Sequence, residues 1–414
     1  MKNLVFASAV IASCAAFADA DLLERESGFK IGERITIRPY VNISCSYESN
    51  PDCRRDASGE SDVYWSINPG ASFDYLSENW KINGSVYYQY HAFCGTRDRG
   101  SQLSNSSYGE QVGISWNSQG EDGSSWSAML NESASFVNQN DSFADTDGRG
   151  LWRDRTQLTV SGALSRRFNE KLHASINGSL YWLDYANDTY AFAPLYGWGR
   201  WTAGAQIGYT LGNWTDLFIA GNYSGYSQTN AGNSSRTDLS GESQGWTVHA
   251  GIGSYLTDRI TYRVSGGVSS FEYGGAHSTS SFTYEGSLNW KFAETWSTSL
   301  MFSSYYQPSE REYAAATRND NVSWGLTKSL IRGKMSVTLD AAYRRETSIY
   351  ASESAADWDL NLITARIGVN YSINRFISVF ARGEFQTELN GGDEISRHYD
   401  YERWRATVGL RLAY

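Results

Sequence analysis

What this sequence has little of narrows the field first. Proline occurs only 5 times in 414 residues, too few for the turns of a large soluble all-β protein. Past the first twenty residues, no stretch approaches the ~18 consecutive apolar residues of a membrane-spanning helix, so a membrane location requires strands. Cysteine (4) and histidine (5) are scarce, and no Cys/His spacing matches a zinc site. The motif Gly-x-Ser-x-Gly is absent. His91, His173, His249, His277 and His398 stand on separate segments, with no His-Asp pair in a recognisable motif, so nothing points to an enzyme or to a cofactor. The net charge of -10 argues against a nucleic-acid partner.

What is plentiful points elsewhere. There are 39 glycines, and Trp (15) and Tyr (28) together far outnumber Phe (17). The mean hydropathy is -0.48. A wall that is apolar outside and wet inside averages to such a value, with Trp and Tyr supplied by girdles at the two lipid interfaces.

The N-terminus has the form of an export signal: Lys2, the apolar run Leu4 to Ala16, then Ala18-Asp19-Ala20 as a cleavage site. Residues 1–20 are therefore read as a signal peptide, although Ile11-Ala12-Ser13-Cys14 also fits a lipidation box. Residues 21–34 form a polar periplasmic lead-in with no expected wall strand, and 35–414 form the barrel. Cleavage leaves Cys45, Cys53 and Cys94. An oxidising compartment permits one disulfide, with Cys53 and Cys94 in the first two outer loops as the preferred pair and three free thiols as the other reading.

From Ile35 to Tyr414 one unit repeats: alternating strand, tight turn, alternating strand, longer polar loop. The period is 2. In Ile260–Val268 apolar side chains hold the even positions. Trp404, Ala406, Val408, Leu410, Leu412 and Tyr414 alternate with Arg403, Arg405, Thr407, Gly409 and Arg411. Short connectors such as Asn169-Glu170, Asn213-Trp214, Thr257-Asp258, Arg332-Gly333 and Asn374-Arg375 alternate with long ones such as Glu48–Asp62, Gly95–Ser107, Gln139–Leu151, Asn230–Glu242 and Glu388–Asp400. Short periplasmic turns and long external loops are the pattern of bacterial outer-membrane barrels. The spacing predicts an antiparallel up-and-down transmembrane barrel of about 18 strands (16–18) in the outer membrane of a Gram-negative-type envelope, with lipid as its first partner. The assignment is least defined over Gly109–Asn138. The terminal Tyr414, preceded by alternating apolar residues, matches the end signal of such barrels.

Sorting strands by parity separates two faces. Trp80, Val86, Leu180, Trp182, Ile207, Val264, Leu288, Ile367 and Leu410 share the apolar face and point to lipid. The other parity holds Arg38, Lys81, Arg155, Arg167, Lys171, His173, Arg200, Arg259, Arg263, Lys291, Arg344, Arg366, Arg382, Arg403, Arg405 and Arg411. Fewer acids share it: Asp74, Asp216, Glu285, Asp340 and Glu384. Glu48 and other acids fall in loops. Fixed cations in a low-dielectric tube concentrate anions, and guanidinium suits carboxylates. Inward Tyr40, Tyr64, Tyr87, Tyr181 and Tyr255 could stack on sugar faces, although arginines near wall ends also snorkel and inward charges also pair.

Ile35–Phe93 resembles the β-barrel porin 2 family of outer-membrane proteins. The resemblance rests on Ile37-Arg38-Pro39-Tyr40, Tyr47-Glu48-Ser49-Asn50, Ser61-Asp62, Ile67-Asn68-Pro69-Gly70 and Trp80–Tyr90. Cys53-Arg54-Arg55 is inserted in the first loop, and Glu48 stands where Asp is common. The resemblance implies association with exopolysaccharide production and supplies no catalytic residues. Three readings follow: a channel for anionic polysaccharide working with a periplasm-spanning export apparatus, an anion-preferring diffusion porin, or a non-conducting barrel whose external loops bind a partner.

Overall fold

The computed structural model describes residues 28–49, 61–94, 105–120, 124–139, 153–185, 198–212, 214–228, 243–257, 259–273, 277–308, 316–349, 359–391 and 401–414. The proposed signal peptide, the Cys14 box, Cys53 and His398 lie outside these residues.

Nineteen strands form one antiparallel sheet. In chain order they are β1 (Phe29–Ile31), β2 (Ile35–Ser49), β3 (Ser61–Leu76), β4 (Trp80–Phe93), β5 (Asn105–Gln119), β6 (Ser125–Gln139), β7 (Arg153–Arg167), β8 (Leu172–Tyr185), β9 (Trp198–Leu211) and β10 (Thr215–Gln228). Then follow β11 (Ser243–Thr257), β12 (Ile260–Tyr273), β13 (His277–Ala293), β14 (Trp296–Pro308), β15 (Ala316–Leu330), β16 (Met335–Ile349), β17 (Asp359–Ser372), β18 (Ile377–Gly391) and β19 (Tyr401–Ala413). Each of β2 to β19 pairs with its chain neighbours, and β19 closes on β2 from Arg405↔Glu48 to Ala413↔Tyr40. The wall is therefore the expected closed barrel, with 18 strands.

The lead-in supplies no strand of that wall but adds one short strand beside it, β1, which folds back on β2 with Phe29 opposite Ile37 and Ile31 opposite Ile35. It occupies the stretch of the β2 edge below the reach of β19. Phe29 stacks there on Tyr414 at 4.5 Å. An apolar residue at each end of Phe-Lys-Ile makes this pairing favourable despite the polar surroundings.

Turn chemistry closes the short-turn end. Asn169 Oδ1 accepts the backbone N–H groups of Lys171 (2.9 Å) and Leu172 (2.8 Å). Asn374 Oδ1 does the same for Phe376 and Ile377. Such Asx turns satisfy donors that the ladder leaves over. The β15–β16 turn is tighter, with Ile331 at φ 53° and Arg332 at φ 54°, a left-handed backbone that a β-branched side chain disfavours.

The outward face is a band of large apolar side chains: Val86, Leu180, Ile207, Ile219, Val264, Phe282, Ile367 and Val408 are all exposed. Trp80, Trp116 and Trp126 girdle its short-turn edge, where Arg166 lies 4.9 Å over the Trp126 ring. Tyr88, Tyr108 and Phe136 mark the opposite edge. Two carboxylates interrupt the band between these girdles. Glu110 stands opposite Val86 and Ala134, and Glu132 opposite Val112 and Val160. They break the parity rule where the pattern was least defined. Cys45 also faces outward, opposite Trp65 and Val408.

The wall is not evenly zipped. β13 and β14 pair from Glu285↔Ser303 down to Ala293↔Trp296. Above that, side chains bridge them: Tyr306 donates to Ser281 Oγ at 2.8 Å, and Arg318 Nη1 donates to the same oxygen at 3.2 Å.

Candidate functional site in the lumen wall

Because the strand period is 2, every second residue points into the barrel, and the register decides which of them meet. One row runs across five strands with alternating sign. Asp340 on β16 stands opposite Arg366 on β17, Arg366 opposite Glu384 on β18, Glu384 opposite Arg405 on β19, and Arg405 opposite Glu48 on β2. Arg366 Nε lies 3.3 Å from Glu384, and Arg405 Nη2 3.2 Å from Glu48. Glu48 also takes Arg403 Nε at 2.8 Å. Glu48 is therefore a buried wall residue, which corrects its assignment to a loop. The strand continues inward-facing past the last apolar residue because two guanidiniums compensate the carboxylate.

Beside this row, Tyr64 meets the ring of His91 edge-on at 5.2 Å. Both are nearly fully buried, so Tyr64 is not an open stacking surface. Elsewhere the same pairing logic holds. Arg38 bonds Asp74, Arg344 Nη2 lies 3.6 Å from Glu346, and His173 Nε2 lies 3.2 Å from Asp216. Glu346 and Glu388 are inward acids that the parity reading missed, each lying close to a strand's loop end.

A second region packs the inside of β8–β15 at the long-loop end. Leu183, Trp198, Tyr226, Phe271, Tyr273, Tyr306 and Ala316 form an apolar cluster. Ring contacts run from Tyr181 to Trp198 (4.8 Å), on to Tyr226 (6.2 Å) and then to Phe271 (5.3 Å). Arg200 lies over Tyr181 and Trp198, each at 5.8 Å. Tyr181 thus belongs to a packed core. Aromatics of this parity look in sequence like girdle residues, and only the strand register reveals that they converge. Deeper in, Arg263 Nη2 donates to Gln206 at 2.6 Å, reaching from β12 to β9, while its guanidinium lies 3.7 Å from the Phe218 centroid.

The remaining cations differ in exposure. Lys81, Arg167, Lys291, Arg366 and Arg382 are exposed on the inward face, and Arg411 is half-buried. Arg259 sits in the β11–β12 turn and Lys171 in the β7–β8 turn, so neither belongs to the wall. Arg155 falls within β7 opposite Tyr185, and its side chain lies outside the described set, as does that of Tyr255. Cys94 is exposed at the end of β4, and no disulfide joins Cys45 and Cys94 among the described residues.

One cluster invites comparison with a hydrolase site. Ser265 Oγ lies 3.4 Å from His249 Nδ1 and 3.2 Å from Glu285, while His249 Nε2 meets Thr283 at 2.8 Å. Glu285 accepts from the serine, whereas the acid of a catalytic triad bonds the imidazole. All but Glu285 are buried, and the arrangement fits wall packing.

A closed barrel with a lipid-facing apolar band, aromatic girdles and a polar, charged interior defines a transmembrane protein of the outer-membrane type. No family model and no curated protein matches the chain. Among solved structures it is similar to OpdK with vanillate from Pseudomonas aeruginosa, at TM-score 0.45 and 10% identity over 91% of this chain and 99% of that one. It is also similar to the siderophore receptor PirA from Pseudomonas aeruginosa (TM-score 0.44, 7% identity, 93% and 81% covered). The FrpB iron transporter from Neisseria meningitidis is a third (TM-score 0.46, 11% identity, 95% and 83% covered).

Proposed function

We propose that this barrel is a transport channel for anions, acidic saccharides among them, through a lumen whose water-facing charges are positive. One observation carries the reading. Among the described residues, the exposed inward charges are Lys81, Arg167, Lys291, Arg366 and Arg382, whereas the inward carboxylates, Glu48, Asp74, Asp216, Glu285, Asp340, Glu346, Glu384 and Glu388 included, are buried or half-buried. Acids compensate arginines inside the wall, Arg366 included through Glu384, and the field seen by a solute is weighted toward the cations exposed to water. The resemblance of Ile35–Phe93 to a family associated with exopolysaccharide adds the saccharide to this reading, and an exporter of that kind works with a periplasm-spanning apparatus.

The test is the reversal potential of refolded protein in a planar bilayer across a KCl gradient. Anion selectivity that falls when Arg366, Arg382 and Lys291 become Gln supports the reading. Cation selectivity overturns it. A folded barrel that never conducts favours an exporter closed when alone, or a surface protein whose loops bind a partner, over an open porin.

A further inference from the structure

We infer that a stripe of flat aromatic rings and guanidinium groups on the inner face of β18, β19 and β2–β5 is the contact surface for a chain of carboxylated sugar rings. The inference rests on the anionic-saccharide reading above and assigns it a place in the wall.

The stripe comes from one local device used three times in succession. Phe380 on β18 stands opposite Gly409 on β19, Tyr40 on β2 opposite Gly70 on β3, and Tyr87 on β4 opposite Gly109 on β5. In each case the ring lies over the glycine. A Cβ on Gly70 would come within 2.5 Å of the Tyr40 ring, one on Gly109 within 2.6 Å of the Tyr87 ring, and one on Gly409 would run into Phe380. The missing side chains let the rings lie down against the wall, leaving a π face toward the lumen.

Guanidinium groups sit among the rings. Arg382 lies 5.0 Å from the Phe380 centroid and Arg411 4.9 Å from that of Tyr40. Arg411 comes from β19, between the strands that carry these two rings. The order around the wall is thus ring, cation, ring, glycine, ring. Tyr40 and Tyr87 share one row through Gly70, two strands and about 10 Å apart, whereas Phe380 falls in the row of Gly409 and Ser44, further along β2 and about 16 Å from Tyr40 at the spacings of strands and residues.

Exposure separates this stripe from a look-alike. Phe218 also lies over a glycine, Gly251, beneath Arg263. Its ring is only 3% exposed, so it serves packing. The rings of Phe380, Tyr40 and Tyr87 are half-buried and Arg382 is exposed.

This arrangement selects a chemistry. The negative π face attracts the C–H edges of a pyranose ring, and the guanidinium offers paired donors to a carboxylate. In an extended pyranose chain every second ring falls near the Tyr40–Tyr87 spacing and every third near the Phe380–Tyr40 spacing, and a carboxylate between Phe380 and Tyr40 meets Arg411.

The test uses refolded full-length protein in a planar bilayer, with trigalacturonate as blocker and maltotriose as neutral control. Trigalacturonate should block KCl current at lower concentration than maltotriose. Tyr40→Leu and Tyr87→Leu should each raise its half-blocking concentration by about three- to tenfold, the value of one lost aromatic contact. Tyr40→Phe should leave it unchanged. Gly70→Ala removes no ligand contact but lifts the Tyr40 ring, and should weaken block to a similar degree. Folding of each variant is checked by heat-modifiable gel mobility. Undiminished block in folded Leu and Gly70→Ala variants overturns the stripe and leaves the anionic-saccharide channel standing. An anion-selective wild type that trigalacturonate does not block overturns both.

Discussion

Arg403 and Glu48 form an ion pair, 2.8 Å from Nε to Oε1, with side chains only 4% and 8% exposed. Arg405 shares the same carboxylate oxygen. Removing one member of a buried pair leaves a charge without compensation, which costs about 3–5 kcal/mol. Glu48→Gln is expected to lower the stability of the folded barrel in urea by about that amount, because two cations lose their anion at once. Arg366→Gln, at the exposed end of the same row, should cost about 1 kcal/mol or less. Equal losses for the two would refute the difference in burial.

The lipid-facing carboxylates make the opposite prediction. Glu132 sits midway along β6 between the girdles, and no hydrogen bond or ion pair holds it among the described residues. Glu132→Leu should stabilise the barrel by about 1 kcal/mol, since acidic residues on the lipid face cost less than basic ones but still oppose insertion. The measurement is urea unfolding in lipid vesicles, and destabilisation by this change would show that the carboxylate is satisfied there.

The β15–β16 turn offers a third test. Ile331 and Arg332 both have positive φ, where Asn-Gly is preferred over a β-branched residue. The double change Ile331→Asn with Arg332→Gly should raise stability by about 1–2 kcal/mol, with channel conductance unaltered. A loss of stability would mean that the turn has another geometry.

The cations nearest the short-turn end should shape the current asymmetrically. Lys81, Arg167 and Lys291 are exposed there, whereas Arg403 is buried toward the other end. Replacing the three with Gln is expected to reduce anion selectivity and current rectification together, read from current–voltage curves at low salt, where screening is weakest. Retained rectification would place its origin elsewhere.

The sequence was most informative where one physical rule acts alone. Alternation assigned Arg366, Arg382 and Lys81 to the interior, because apolar neighbours at every second position leave no other face for them. Connector lengths gave the strand number. Three things were hidden. Glu48 lies beyond the last apolar residue of β2, so only its cross-strand partners show that the wall continues. Glu110 and Glu132 occupy the apolar parity and blur the pattern of β5 and β6. The convergence of Phe271 and Tyr306 depends on register, which hydrophobicity does not encode. The Tyr40–Gly70 pairing was equally invisible, since nothing local links residues on separate strands.

The row from Asp340 to Glu48 also bears on assembly. A barrel that closes by sequential strand addition must reject frames displaced by two residues, which keep every apolar side chain facing outward. In one such frame Arg366 would stand opposite Arg382, cation against cation, a juxtaposition that destabilises a strand pair. The alternating signs therefore act as a proofreading code for insertion, distinguishing the correct frame from neighbours that lipid alone would accept.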